Sequence, residues 1–282
     1  MAEISYLNGF QIKPKSVSEN GVVTFTNGRD DIRPNQQQCE AYGYTYDRAS
    51  GTCRAFKFNS NLSSSFSNEN NSIQGANNST ETGTNNTYIM GESNAVKGLS
   101  RNNIIIGNQN EIANSVNNAN VFGTLGQATA DNSLVLGCNA PDDNLSERQS
   151  IQLMYGVQTT TSGTIDSYLN NVTGSYFTIP ANTAMYFHAD ILAVRVGGSS
   201  ASGAAGDFAS WVERGVVINK SGTLSIERER DTIKSSGTVT TWRPTATVNG
   251  TNFIMDVRGV GNMTIEWASN ITFTQIKTGV AL

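Results

Sequence analysis

The sequence predicts an all-β protein in which a short parallel β-roll of 16-residue coils precedes an antiparallel β-sandwich or jelly roll. Three observations carry this reading. Gly75, Gly91, Gly107, Gly123 and Gly137 recur at spacings of 16, 16, 16 and 14 residues. The chain holds 33 Asn and 27 Gly among its 282 residues, and both types favour turns and left-handed backbone over helix. From residue 151 onward, apolar runs with strand-like alternation are punctuated by turn signals.

The first 57 residues form the first of three expected domains (1–57, 58–141 and 142–282) and read as a small β-rich head. Gly21-Val-Val-Thr-Phe-Thr26 alternates like a strand and Asn27-Gly28 follows as a turn. Seven basic and six acidic side chains give the segment a net charge of +1. Cys39 and Cys53 bracket Tyr42-Gly-Tyr-Thr-Tyr46 and the turn-like Asp47-Arg-Ala-Ser-Gly51. A hairpin here would bring the two thiols together, either as reduced, half-buried side chains or as a disulfide. Cys138 stands apart and reads as a packing residue; none of the three has zinc-ligand spacing.

The second segment, residues 58–141, carries the repeat. Five residues before each glycine stands Asn70, Asn86, Asn102, Asn118 or Asn132, and two before each stands Ile73, Ile89, Ile105, Val121 or Val135. Asn78, Asn94 and Asn110 follow the first three glycines by three positions, and Val96, Ile112 and Ala128 follow the middle three by five. Stacked coils place such columns about 4.8 Å apart, so that Asn side chains can bond as ladders. Neighbouring strand residues face opposite sides. If Ile73, Ile89, Ile105, Val121 and Val135 face the coil interior, then Met90, Ile106, Phe122 and Leu136 face outward, with Tyr88, Ile104 and Leu134. A strand apolar on both faces is covered on both faces. The simplest cover is a second copy, and identical faces meeting about an axis give a closed cyclic oligomer.

The pattern Asn-x-x-(Ile/Val)-x-Gly-x-x-Asn-x-Val over residues 66–140 resembles the head repeat of trimeric autotransporter adhesins. The resemblance implies a left-handed parallel roll with three chains side by side. Gly126 and Ala140 depart from the second Asn column. The sequence opens without a basic-then-apolar leader and holds no apolar run of 18 residues. A soluble chain made in the host cytoplasm is therefore expected, and a roll of this kind on such a chain resembles bacteriophage fibres. That resemblance implies a virion location, a homotrimer, docking to the particle through the N-terminal segment, and contact with a host-surface glycan or protein through the C-terminal domain. A passive capsid decoration or spacer and a glycan-cleaving tailspike are the alternatives.

In the third segment, candidate strands are 151–159, 176–179, 184–196, 208–218, 223–229, 238–248, 252–257 and 263–276. Pro180-Ala-Asn, Gly197–Gly206, Lys220-Ser-Gly and Asn249-Gly250 separate several of them, and Gly197–Gly206 reads as a flexible tip.

No catalytic, cofactor-binding or metal-binding residue is assigned. The single histidine, His188, alternates with Tyr186 and Asp190 and reads as part of a surface or inter-chain polar cluster. The alternating Glu227-Arg228-Glu229-Arg230-Asp231 reads as a solvated strand end or a set of inter-chain ion pairs. Asp142-Asp143 beside Pro141 reads as linker, and Glu69, Glu81, Glu92, Glu111 and Asp131 form no carboxylate cluster. Tyr168, Tyr176, Trp211 and Trp242 are read mostly as core, with a contact surface as the alternative. On these grounds the chain is expected not to be an enzyme and to need no cofactor. A net charge of −4 and a pI near 5.1 argue against nucleic acid or an anionic membrane as partner.

Overall fold

The computed structural model describes residues 12–18, 21–48, 50–55, 70–237, 239 and 241–278. The chain divides into two compact units, Met1–Ser65 and Phe66–Leu282.

In the first unit, β1 (Lys13–Val17), β2 (Val23–Thr26) and β3 (Asp31–Ile32) form an antiparallel sheet. The β2–β3 turn is built as its sequence requires: Gly28 has φ +99°, and the Asn27 side chain accepts from the amides of Arg29 and Asp30 at 2.9 and 2.8 Å. The expected hairpin between the cysteines is present as β4 (Thr45–Asp47) and β5 (Thr52–Arg54), and a short helix, α1 (Gln36–Ala41), precedes it and carries Cys39. Asn35 caps the helix reciprocally with Gln38, a local device that overrides the β-rich context. Cys39 on α1 and Cys53 on β5 are joined as a disulfide. With Val23 and Phe25 they make up the buried core of this unit, and Tyr42 and Tyr44 meet Phe25 edge-on at 5.6 and 6.1 Å.

The second unit opens with the roll. Its longer strands are β6 (Ser72–Ala76), β8 (Tyr88–Glu92), β10 (Ile104–Asn108), β12 (Asn120–Thr124) and β14 (Leu134–Cys138). Alternating with them are β7 (Ser79–Thr80), β9 (Ala95–Val96), β11 (Glu111–Ile112) and β13 (Gln127–Ala128). Two parallel sheets result, β6-β8-β10-β12-β14 and β7-β9-β11-β13. The register matches the sequence columns: Ile73, Ile89, Ile105, Val121 and Val135 are successive partners, as are the five glycines. Ile89, Ile105, Val121, Val135, Val96, Ile112 and Ala128 are wholly buried. Ile73, expected inside, is 44% exposed, because its coil lies at the end of the stack and has a described neighbour on one side only.

Asparagine and glycine fix the corners. Asn70, Asn86, Asn102, Asn118 and Asn132 all adopt φ between 52° and 59°. The first four bond amide to carbonyl along their column at 3.1–3.2 Å. The second column is buried: Asn94 and Asn110 each donate to the Asn one coil earlier (2.9 and 3.1 Å) and to the glycine carbonyl of the next (2.7 and 2.8 Å). At Gly107, φ is +138° and an added Cβ would stand 1.8 Å from the carbonyl oxygen of Gly123. Both the backbone conformation and the close approach require glycine there.

Nine strands follow: β15 (Arg148–Thr159), β16 (Thr164–Leu169), β17 (Phe177–Thr178), β18 (Thr183–Gly197), β19 (Phe208–Lys220), β20 (Thr223–Ser235), β21 (Arg243–Asn249), β22 (Asn252–Arg258) and β23 (Thr264–Lys277). β15 pairs antiparallel with β14, so the roll's sheet continues without a break through β15, β23, β18, β19 and β20. β22 pairs with β16, β17 and β21. Between these layers lies an aromatic core: Phe253 of β22 meets Phe187 of β18 and Phe273 of β23, both at 5.1 Å, and Trp211 stacks on Trp267 at 5.7 Å. β16 is absent from the sequence-based strands because its Thr/Ser/Gly flank and the polar pair Asp166-Ser167 mask a short strand.

Candidate functional site

Three surfaces of the second unit concentrate the side chains that could meet a partner. The first is the outward face of the roll. Met90, Ile106, Phe122 and Leu136 are consecutive cross-strand partners, and Tyr88, Ile104, Asn120 and Leu134 form the adjoining row. Met90, Ile104, Ile106 and Leu136 are 37–48% exposed. Covering such a stripe would contribute on the order of 5 kcal/mol per chain at about 25 cal/mol per Å².

The second is the same face of the same sheet farther on, where charged side chains stand among exposed apolar ones, Met154, Tyr186, Leu192, Val216 and Ile276. The row that begins at Leu136 continues through Ser150, Thr274, Tyr186, Val216 and Glu227. His188 meets Asp190 at 3.2 Å, and Arg214 bonds Glu229 and, at 3.3 Å, Asp231. The alternating run of β20 therefore splits by face. Glu227, Glu229 and Asp231 share one side with Arg214, while Arg228 and Arg230 turn to the other. Arg228 pairs with Glu213 at 3.1 Å, and Arg230 donates to the carbonyl of Pro244. Burial pulls the Arg230 pKa down, and the neighbouring Arg243 and Arg228 charges add to that against the pull of Glu213.

The third surface is the outer face of the β21–β22–β16 layer. Thr245, Asp256 and Asp166 are cross-strand partners in one row, and Arg243, Arg258 and Thr164 in the next. The Tyr176 hydroxyl donates to Asp166 at 2.6 Å, the Thr247 hydroxyl donates to Asp256 at 3.0 Å, and the Tyr168 and Tyr176 rings are 5.7 Å apart. Desolvation raises the Asp256 pKa, and Asp166, within hydrogen-bonding reach, raises it further against the bond from Thr247. Tyr176 is pushed up to about 12, chiefly by its bond to Asp166. The sequence named Tyr168 and Tyr176 as a possible contact surface but not the charged residues beside them. Residues 166, 176, 243, 256 and 258 share no motif, and only strand pairing brings them together.

The remaining sequence candidates are scattered. Trp211 and Trp242 are core residues, whereas Tyr168 and Tyr176 are half-buried on the outer face. Asp143 pairs with Arg148 at 2.7 Å and accepts from the Ala140 amide, which fixes the connection between β14 and β15. Residues 197–206 are organised around Arg195, a buried guanidinium that donates to the carbonyls of Gly197, Gly198, Ser200 and Ser202 at 2.6–3.3 Å. The expected flexible tip is therefore tied down. Glu81 pairs with Lys97 at 3.1 Å, and Glu111 approaches the same lysine at 3.8 Å. Cys138, expected to pack, is exposed. Glu69 lies outside the described residues. Among the described residues, no group of three or more His, Cys, Asp or Glu is placed to hold a metal ion, and no helix is long and apolar enough to cross a membrane.

No protein-family model and no curated protein matches the chain. Solved structures similar to it include three phage tailspike proteins. The Acinetobacter baumannii phage AM24 tailspike is 9% identical with a TM-score of 0.26, and the Acinetobacter phage vB_ApiP_P1 tailspike is 11% identical with a TM-score of 0.23. The third is the tailspike gp49 of Acinetobacter baumannii bacteriophage Fri1, a capsular polysaccharide depolymerase, 8% identical with a TM-score of 0.24. The matches cover 74%, 74% and 72% of this chain but 49%, 54% and 46% of those proteins, so the chain spans about half their length. At these TM-scores the likeness carries no argument on residue roles.

One expectation is corrected by this comparison. The chain was expected not to be an enzyme, yet a depolymerase stands among the structures it resembles. The expectation rested on a single histidine, no nucleophile motif and no carboxylate cluster visible along the sequence, and two carboxyl groups for glycan cleavage can come from any strands that meet in space.

Proposed function

We propose that the chain is a subunit of a homotrimeric phage tail attachment protein of tailspike or fibre type, carried on the virion. Its C-terminal strands engage a host-surface glycan, and its N-terminal segment joins the particle. The observation that carries the reading is the roll whose strands are apolar on both faces, Ile105 inward and Ile104 and Ile106 outward. A face of this kind is satisfied by copies of itself about an axis, and the resemblance to adhesin head repeats implies a three-fold axis and a left-handed roll. Three identical arms on one rod gain avidity from weak individual contacts. Purified full-length protein should coat the bacterium that the phage infects and compete with phage adsorption. Deletion of residues 1–57 should leave that competition intact while preventing incorporation into particles. Competition that survives removal of residues 142–282 would contradict the assignment.

A second reading, glycan cleavage, is favoured by one specific observation. Asp256 is a carboxyl with a raised pKa beside a second carboxyl, the environment of a general acid. Release of reducing ends from host capsule, lost in Asp256→Asn and Asp166→Asn, would establish it. Release unchanged in both variants would place the chemistry elsewhere, and no release from wild-type protein would leave binding alone.

A further inference from the structure

We propose that the outer face of the β21–β22–β16 layer, together with the groove between β20 and β21, is a binding site for a carboxylate-bearing glycan. This deepens the attachment reading and rests on it.

Charge is the first argument. Arg243 and Arg258 are direct cross-strand partners, and like charges placed so repel. Among the described residues, neither they nor Arg230 has a carboxylate within ion-pair distance, which is also true of Arg29, Arg33, Arg101 and Arg195, but only Arg243 and Arg258 are placed directly opposite one another. Arg243 and Arg258 thus stand side by side without an ion-pair partner, and near them Arg230 is attracted only at longer range by Glu213 while it donates to the Pro244 carbonyl, in a chain whose net charge is −4. An arginine fork matches a planar carboxylate with two parallel hydrogen bonds, which makes a uronate-type group the fitting partner.

The groove is the second. It has a volume of about 580 Å³ and is lined by Ile226, Glu227, Arg228, Ala246, Thr247 and Val248. Against two of its lining residues sits Glu213, with no exposed surface. One Glu213 oxygen accepts from Arg228 and from the Ala246 amide at 3.1 and 3.0 Å; the other has no hydrogen-bond partner. A buried carboxylate oxygen left so costs free energy, and the other oxygen holds the lining residue Arg228 in place at the groove wall.

Sugar chemistry is the third. Thr247 joins the groove to Asp256, and from there the row runs through Asp166 to Tyr176 and Tyr168. Carboxylates accept from sugar hydroxyls, and the tyrosine rings give an apolar platform with a polar edge. Crossing three to four strands at about 4.8 Å each, the row spans several sugar rings.

The test uses the full-length protein on an array of bacterial surface oligosaccharides with uronate-containing, phosphate-containing and neutral members. Binding should fall among the uronate members. Arg243→Gln/Arg258→Gln should weaken it at least tenfold with Tm unchanged, since both side chains are exposed. The double Lys variant, which keeps the charge and loses the fork, should fall between. Tyr168→Ala should weaken it without changing the preference for uronate. Binding confined to phosphate-containing or neutral members, no binding to any member, or unchanged binding by the double Gln variant would each overturn the proposal. Adsorption to host cells separates the two levels. If the double Gln variant adsorbs like wild type, only this inference fails; if wild type does not adsorb, the attachment reading fails with it.

Discussion

The roll and the C-terminal strands share one continuous sheet yet are stabilised in different ways. In the roll, identity between coils does the holding. Glycine lies over glycine, Asn bonds Asn, and two interior apolar columns repeat along the coils, one of Ile89, Ile105, Val121 and Val135 and one of Val96, Ile112 and Ala128. In the C-terminal strands nothing repeats, and a mixed core of Phe187, Phe253, Phe273, Trp211 and Trp267 fills the space between layers. The outward faces differ in the opposite sense. Past β14 the face mixes charged side chains with exposed apolar ones such as Met154, Leu192 and Ile276, while on the roll it is an unbroken apolar stripe with no cover among the described residues. On the proposed reading the short solenoid leaves one of its two faces to neighbouring copies, whereas the C-terminal strands bury their apolar side within one chain.

Substitutions can sharpen or break this contrast. The largest effect is expected in the roll from Gly107→Ala. A Cβ 1.8 Å from the Gly123 oxygen forces adjacent coils apart, and the loss should exceed about 4 kcal/mol. Failure to recover folded, assembled protein is the readout, and a melt near wild type would break the ladder argument. In the C-terminal core, Phe253→Ala should cost about 3–5 kcal/mol through the cavity it leaves among Tyr155, Phe187 and Phe273. Denaturant titration would measure it, and assembly through the roll should persist.

How much of this was legible in the sequence follows the same divide. A repeat writes its contacts into its period, so the pairing of Ile89, Ile105, Val121 and Val135 could be read before any coordinates. The period could not show that Ile73 has a described neighbouring coil on one side only. In the C-terminal region most strands were visible as apolar runs, but β16 was not. The charged site residues were invisible for a related reason: Asp166 and Asp256 are 90 positions apart and become neighbours only through the β16–β22 register. In the first unit, the Asn35–Gln38 capping box was readable and was passed over in a segment that otherwise looked like strand.

Asn94→Ala should have a smaller effect. It removes a wholly buried amide that accepts from the Asn110 backbone at 3.0 Å and donates to the Gly107 carbonyl. A loss of about 2–3 kcal/mol is expected, seen as a lower Tm. Its exposed counterpart Asn86 should cost clearly less, and equal effects would argue that burial of the second Asn column is unimportant.

The smallest effect is a pH dependence. The folded-state pKa of Asp256 is raised, so the folded chain holds a proton that the unfolded chain has released. Stability contributed by this group is present below its ordinary value of 3.8 and falls as pH rises through the window up to the raised value. Asp256→Asn should flatten that fall, and thermal melts between pH 3 and pH 7 would show it. An unchanged profile would mean that the carboxyl pair is not coupled to folding.

The central claim is that the roll's apolar outward face is an interface between copies of this chain. Sedimentation equilibrium of the full-length protein in native buffer tests it most directly. The account predicts three times the 30.2 kDa chain mass, and a shift to smaller species when Met90, Ile106 and Leu136 are replaced together by Ser. A folded wild-type monomer of 30.2 kDa, stable at micromolar concentration, would contradict it.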